Sequence, residues 1–148
     1  KKLADDRIKT RLAISLHSAR EEIRKKIMPF TKKIPLETLK ESLIYWQNRN
    51  KKILTLEYIV FDSINDLKED IYALIEFCKG LRVKLNLIEY NPIENGIFKQ
   101  ANNKAIELYK KELIKYKITV TIRKSRGKDI DAACGQLVNK SRKFLSIS

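Results

Sequence analysis

Residues 53–61 read ILTLEYIVF, with Leu54, Leu56, Tyr58 and Val60 at one set of alternate positions and Thr55 and Glu57 at the other. Side chains of a strand change face at every residue, so this pattern is a strand with one apolar side and one polar side. The same alternation recurs outward from it, at residues 11–17 (RLAISLH), 83–90 (VKLNLIEY) and 118–123 (ITVTIR). Between these strands lie stripes at helical spacing. Leu36, Leu39, Leu43 and Trp46 form one, entered through Pro35, which suits a first helical position. Leu67, Ile71, Leu74, Ile75 and Cys78 form a second, opened by Asp66 with Glu69 at capping-box spacing and closed by Gly80. Ile106, Tyr109, Leu113 and Tyr116 form a third, with Asn103 as its expected cap, and a shorter helix is expected over residues 20–27, before Pro29. Strands alternating with helices predict an α/β fold whose sheet is mostly parallel, with the helices as right-handed crossovers.

The two faces of the strands differ consistently. Leu12, Ile14 and Leu16 oppose Ala13, Ser15 and His17; Val83, Leu85 and Leu87 oppose Lys84 and Asn86; Ile118, Val120 and Ile122 oppose Thr119, Thr121 and Arg123. An open doubly wound sheet calls for apolar residues on both sides. A closed or partly open barrel with outer helices and a polar inner face fits this pattern better, because the inner face then holds a ligand. A sheet covered by helices on one side and by water on the other stays open as the alternative. Four strands cannot close such a barrel, so the remaining strands are expected before Lys1. A chain that begins without Met fits that expectation of an excised or processed piece.

Composition narrows the function classes. The 148 residues suit one compact domain with a core, and 43% hydrophobic with 34% charged residues is a globular balance. The longest stretches free of Asp, Glu, Lys and Arg are residues 12–19 and 132–139, far short of the roughly 20 apolar residues that a membrane-spanning helix needs. Two cysteines make no disulfide framework, and a reducing cytoplasm is the expected compartment. A formal charge of +14 favours a polyanionic partner. From Lys115 onward there are nine Lys or Arg and two acids, half of the net charge on under a quarter of the length.

Chemistry in β/α barrels collects where strands end. Ser15-Leu16-His17-Ser18 stands at such an end, with Ser15 and His17 on the polar side, able to bond a polar ligand; the alternative for His17, the sole histidine, is a strand-end residue tied to a backbone carbonyl. Asn91 closes the third strand before Pro92, which restricts it to extended geometry and aims its amide at the strand mouth, or else marks an ordinary turn. The densest signal is residues 123–137, RKSRGKDIDAACGQL. Arg123, Lys124, Arg126 and Lys128 suit phosphate contacts, the alternative being a solvated tail. If Asp131 caps a short helix, Cys134 falls in its first turn and is a candidate thiolate, with Asp129 and Asp131 acting against it; the alternative is a small buried hydrophobe. Cys78 continues an apolar stripe and reads as core. There is no Walker loop, no G-x-G-x-x-G, no zinc motif and no cysteine spacing for a metal site.

Taken together, LAISLHSA with EEIRKKIMPF, LEYIVFDSIND, KLNLIEYNP and IRKSRGKDIDAACGQL closely resemble the radical-SAM adenine methyltransferases that modify large-subunit ribosomal RNA and in many cases transfer RNA. The resemblance runs over essentially the whole chain, in order. It implies a partly open (β/α)6-type barrel holding S-adenosylmethionine and a four-iron, four-sulfur (4Fe-4S) cluster. On matching positions it implies that Ser15, Leu16, His17 and Asn91 contribute to the S-adenosylmethionine site. It also implies that Cys134 carries a methyl group as S-methylcysteine, that a radical formed with a second cofactor molecule activates this methyl, and that the carbon then attacks carbon 2 of an adenine. An adenine ring carbon between two nitrogens is a poor nucleophile, which ordinary methyl transfer cannot reach. Arg123, Lys124, Arg126 and Lys128 would hold the RNA near the thiol.

Departures from the family pattern are specific. The three-cysteine cluster motif C-x-x-x-C-x-x-C is absent, and so is the second catalytic cysteine. Residues 1–148 are therefore expected to be the C-terminal portion of the enzyme, without the cluster-binding part, with no metal ligands of their own and inactive alone. The cluster ligands are expected upstream of Lys1. The expected substrates are ribosomal and transfer RNA in the cytoplasm, with no membrane and no stable protein partner. Two alternatives stand beside this reading: the sibling resistance family that methylates carbon 8 of the same nucleotide, and a non-catalytic basic RNA-binding module.

Overall fold

The computed structural model describes residues 2–6 and 10–124. Four strands, β1 (Ala13–Ser15), β2 (Leu54–Val60), β3 (Val83–Glu89) and β4 (Thr119–Lys124), form one sheet in the order β1-β2-β3-β4. Every neighbouring pair is parallel, as the alternation of strands with helices predicts. Helices α2 (Glu21–Ile27) and α3 (Leu36–Asn50), with a 3-10 turn over Pro29–Lys33 between them, join β1 to β2. Helix α4 (Lys68–Cys78) joins β2 to β3, and α5 (Asn103–Lys115) joins β3 to β4. A short helix α1 (Lys2–Asp5), carrying no readable stripe, docks on α3, where the Tyr45 hydroxyl donates to Asp5 Oδ1 at 2.6 Å. The architecture is an open parallel sheet with covering helices, consistent with part of a β/α barrel.

The main core lies where the apolar stripes of α3, α4 and α5 meet the apolar face of the strands. Leu54, Leu56, Tyr58, Val60, Leu85 and Leu87 are fully buried against Leu43, Trp46, Ile71, Leu74, Tyr109 and Leu113. Gln47 secures the lower edge. Its side-chain amide donates to the carbonyls of Lys52 and Arg82, at 2.9 and 2.7 Å, and accepts from the Arg82 N–H at 3.0 Å. The end of α3 is thereby tied to the chain segments entering β2 and β3.

Helix ends depart from the sequence expectation by one or two residues, for local reasons. Pro35 is the cap of α3 and not its first helical residue, and the free Leu36 N–H finds its acceptor in Glu21 Oε2 of α2 at 2.8 Å. Asp66 does not open α4. The Phe61 N–H bonds Asn65 Oδ1 at 2.7 Å, which holds residues 61–65 in a turn, so the helix begins after Leu67. The carboxylate that returns to the cap is Asp70, accepting from the Leu67 N–H at 3.2 Å, in place of Glu69. Burial pushes the Asp70 carboxyl up, opposed by that N–H and by Arg20. Asn102, one residue before the expected Asn103, caps α5 by accepting from the Ala105 N–H at 2.8 Å. Tyr116 falls just past α5 and is exposed, outside the buried stripe. Gly80 does follow α4, at φ 80°, the left-handed geometry that glycine adopts without cost.

Truncating the centre of this core should be expensive. Leu56→Ala in the complete protein is expected to cost about 2–5 kcal/mol, whereas Ile114→Ala, on the exposed side of α5, should stay within about 0.5 kcal/mol. Denaturant midpoints of the two variants check the contrast; equal losses would contradict this placement of the core.

Candidate functional site

The polar face of the sheet is arranged in layers by the parallel register. Ala13, Thr55, Lys84 and Thr119 are partners in the lowest layer, and Ser15, Glu57, Asn86 and Thr121 in the next. The third layer aligns Ile59, Ile88 and Arg123. Within the second layer the side chains are bonded across the strands. Asn86 Nδ2 donates to Glu57 Oε1 at 2.9 Å, and the Thr121 hydroxyl bonds Asn86 Oδ1. Because a carboxylate only accepts, the amide nitrogen of Asn86 must face Glu57, and its oxygen then faces the Thr121 hydroxyl. Ser15 and Thr121 are exposed, Glu57 and Asn86 half-buried.

On β2 and β3, polarity stops at the third layer. Ile59, Phe61 and Tyr90 are buried with Ile23, Ile27 and Met28, and Ile64, Ile88 and Phe98 pack against them. Three aromatic rings converge there: Phe61 lies 4.9 Å from Tyr90 and 4.5 Å from Phe98, centroid to centroid. The expectation that small or polar groups line the whole inner side therefore holds for the two lower layers and fails at the C-terminal ends of β2 and β3. There, α2 and the segment returning at Phe98 supply an apolar cover that strand periodicity alone does not show.

Ser15, Leu16 and His17 stand together where β1 ends. Leu16 and His17 both direct their N–H groups at the Glu57 carbonyl, at 2.9 and 3.4 Å, and the chain then turns at His17 with φ 55°. Leu16 is buried in the main core. The His17 ring is 2% exposed, and its Nδ1 accepts from the Ile59 N–H at 3.1 Å, so the neutral ring carries its proton on Nε2. Its backbone tie is thus to an amide. Asn65 completes the knot, with Nδ2 donating to the carbonyls of His17 and Ile59 at 2.7 and 2.9 Å. The Tyr109 hydroxyl donates to the Asn65 carbonyl at 2.5 Å and meets the Tyr58 hydroxyl at 3.2 Å. What β1 presents to a ligand is therefore the Ser15 side chain and the backbone of the turn, with the imidazole holding the turn in place.

Asn91 lies two residues past the end of β3, half-buried. Arg123 and Lys124 are the last two residues of β4, both exposed, at the same end of the sheet as the His17 turn. Arg126, Lys128 and Cys134 lie outside the described residues. Cys78 is buried, its thiol pushed up to about 12 by burial, with Lys40 pulling the other way, and it lines a cavity of about 490 Å³ with Ile53, Arg82 and Lys117. That cavity opens at the N-terminal ends of the strands, opposite the end where α/β sheets bind ligands. Among the described residues no three His, Cys, Asp or Glu side chains converge as metal ligands would, so the residues described do not fit an iron–sulfur cluster. No helix among them is long and apolar enough to cross a membrane. The polar layers do fit a nucleoside-bearing cofactor, since they offer a bonded row of carboxylate, amide and hydroxyls. Glu57, Asn86, Thr121 and Asn65 were not assigned roles from sequence; the strand register is the signal that groups the first three with Ser15.

Acid should loosen the strand-end knot. Burial, helped by the Arg24 charge, lowers the His17 pKa to about 4. The unfolded chain then binds a proton near pH 6.5 that the folded chain refuses, so stability is full above that pH and falls as pH drops toward 4. The total loss is about 3 kcal/mol. Urea midpoints at pH 7 and pH 5 should show a larger drop for the wild type than for His17→Asn, which lacks the titrating ring; equal drops would refute the assignment.

No protein-family model matches the chain. Curated relatives do. A probable dual-specificity RNA methyltransferase RlmN of Christiangramia forsetii is 57% identical over 95% of this chain. The protein of the same name in Flavobacterium psychrophilum is also 57% identical over 95% of this chain, and that of Cytophaga hutchinsonii 46% over 96%. The chain spans 40% of the first of these relatives, and much the same share of the others. Among solved structures, a radical SAM methyltransferase from Sphaerobacter thermophilus superposes with a TM-score of 0.82 at 30% identity, over 91% of this chain and 40% of that one. A domain of a pyruvate-formate lyase-activating enzyme from Bacteroides vulgatus shares the fold, with a TM-score of 0.62 at 15% identity over 83% of this chain and 74% of that one. By sequence and by fold, the chain is similar over nearly its whole length to radical SAM methyltransferases, those named RlmN among them, and it spans about two fifths of their length.

Proposed function

We propose that the complete protein is a radical SAM methyltransferase acting on adenine carbon 2 of large-subunit ribosomal RNA and of transfer RNA, in the cytoplasm. The observation that carries this reading is the likeness to the RlmN relatives over 95% of the chain, with an open parallel sheet whose polar face suits the cofactor. In this reading residues 1–148 are the C-terminal portion of the catalytic core, and the cluster is ligated outside them. S-adenosylmethionine, when bound, supplies the one-carbon unit. Ser15, the backbone at Leu16 and His17, and Asn91 hold it at the C-terminal end of the sheet. Burial of the His17 ring and its Ile59 bond keep that turn rigid, and the apolar cover of Ile59, Ile88 and Phe98 shields one end from water. Cys134 carries the methyl group as S-methylcysteine and delivers it to the base. Arg123, Lys124, Arg126 and Lys128 pair with RNA phosphates.

Cys134→Ala in the complete protein is expected to abolish adenine methylation while leaving RNA binding intact; turnover by that variant would remove the assigned role. Mass spectrometry of the modified nucleosides should find 2-methyladenosine, and the carbon 8 isomer would transfer the protein to the sibling reading. RNA affinity should fall with salt, and Arg123→Ala with Lys124→Ala should each reduce the log–log salt slope by about 1. A slope unchanged in both variants would take these two residues out of the interface.

A further inference from the structure

The row Ser15–Glu57–Asn86–Thr121 extends beyond the strand-end site just described, which uses only its Ser15. It crosses all four strands, and three of its members are already bonded to one another. Donation runs one way along it. The Thr121 hydroxyl bonds Asn86, the Asn86 amide donates to Glu57 Oε1, and the carboxylate is the terminal acceptor. A carboxylate has room for about four hydrogen bonds, and that one amide satisfies a single one of them. Glu57 is half-buried on the polar face next to Ser15, so a ligand lying there is asked to supply hydrogen-bond donors. It is also the sole acid among the three layers, where Lys84 and Arg123 stand two residues below and above the row on neighbouring strands.

Size and surroundings narrow the donor. Three interstrand steps span about 14 Å, the scale of an extended nucleoside cofactor. The half-buried Ile88 lies one layer above the row, an apolar surface on which a base can rest. A carboxylate with flanking hydroxyl and amide groups is the set that reads the vicinal hydroxyls of a ribose, as the acidic residue of dinucleotide sites does.

Resting on the S-adenosylmethionine reading above, we infer that the Glu57 carboxylate, held in place by Asn86 and Thr121, accepts hydrogen bonds from the ribose hydroxyls of the bound S-adenosyl nucleoside. Glu57 is then a binding residue for the sugar, and Asn86 and Thr121 are positioning residues that act through it.

Calorimetric binding of S-adenosylhomocysteine to the complete protein tests this without turnover. Glu57→Gln should weaken binding about tenfold or more, the scale of a hydrogen bond to a charged group. The same substitution should leave the affinity for 2′,3′-dideoxy-S-adenosylhomocysteine unchanged, since the bonds that it removes are already missing there. Asn86→Ala should narrow the gap between the two ligands on the wild-type backbone, and this arm stands even if Glu57→Gln fails to fold. An equal loss for both ligands would overturn the inference. So would a loss confined to the cationic S-adenosylmethionine with S-adenosylhomocysteine spared, because Glu57 would then answer the sulfonium. If the wild type bound none of these ligands, the methyltransferase reading itself would fall; if it bound them and Glu57→Gln changed nothing, only the role of Glu57 would.

Discussion

Parallel pairing of β2 with a strand on each side is the constraint from which the rest of the molecule follows. Its register, Ala13 with Thr55 and Leu54 with Val83, keeps all four strands in phase. A slip of one residue in a sheet exchanges every side chain between its faces. In phase, Leu54, Leu56, Tyr58 and Val60 join Leu85 and Leu87 against the helices, and Glu57 meets Asn86 on the other side. Hydrophobic burial and the polar row are thus two consequences of one alignment, and a slip of register would lose both.

Asn65 acts at the upper edge as the strand register does at the centre. One side chain satisfies the Phe61 N–H and the carbonyls of His17 and Ile59, while its own carbonyl takes the Tyr109 hydroxyl. Groups from the end of β1, the end of β2 and α5 are therefore fixed by a single buried amide. Buried polar groups left unpaired are costly, so the arrangement tolerates little rearrangement. The positive φ at His17 persists because this knot over-determines it. For the proposed activity the benefit is a turn whose backbone is already shaped before any ligand arrives.

How much could be read beforehand depended on whether the deciding contact was local. Four strands, their parallel direction, the stripes of α3, α4 and α5 and the polar side in the two lower layers of the sheet all follow from period-two and period-3.6 patterns. Caps were missed by a residue or two because their partners come from elsewhere, as when Glu21 of α2 serves the Leu36 N–H of α3. The apolar cover over Ile59 and Ile88 was missed for the same reason, since Ile23 and Met28 reach it from α2 and its cap and Phe98 from a distant segment.

The amino-acid sequence by itself determined the α/β alternation, the side of each strand that is apolar, and the likeness to a methyltransferase family, because each of these is written in neighbouring residues. Only the tertiary structure decided that the His17 ring is an acceptor for the Ile59 amide, and that Glu57, Asn86 and Thr121 form one bonded row with Ser15 at its end. These partners stand 29 to 42 residues apart along the chain. Their meeting is set by strand register and crossover length, which no short window of sequence contains.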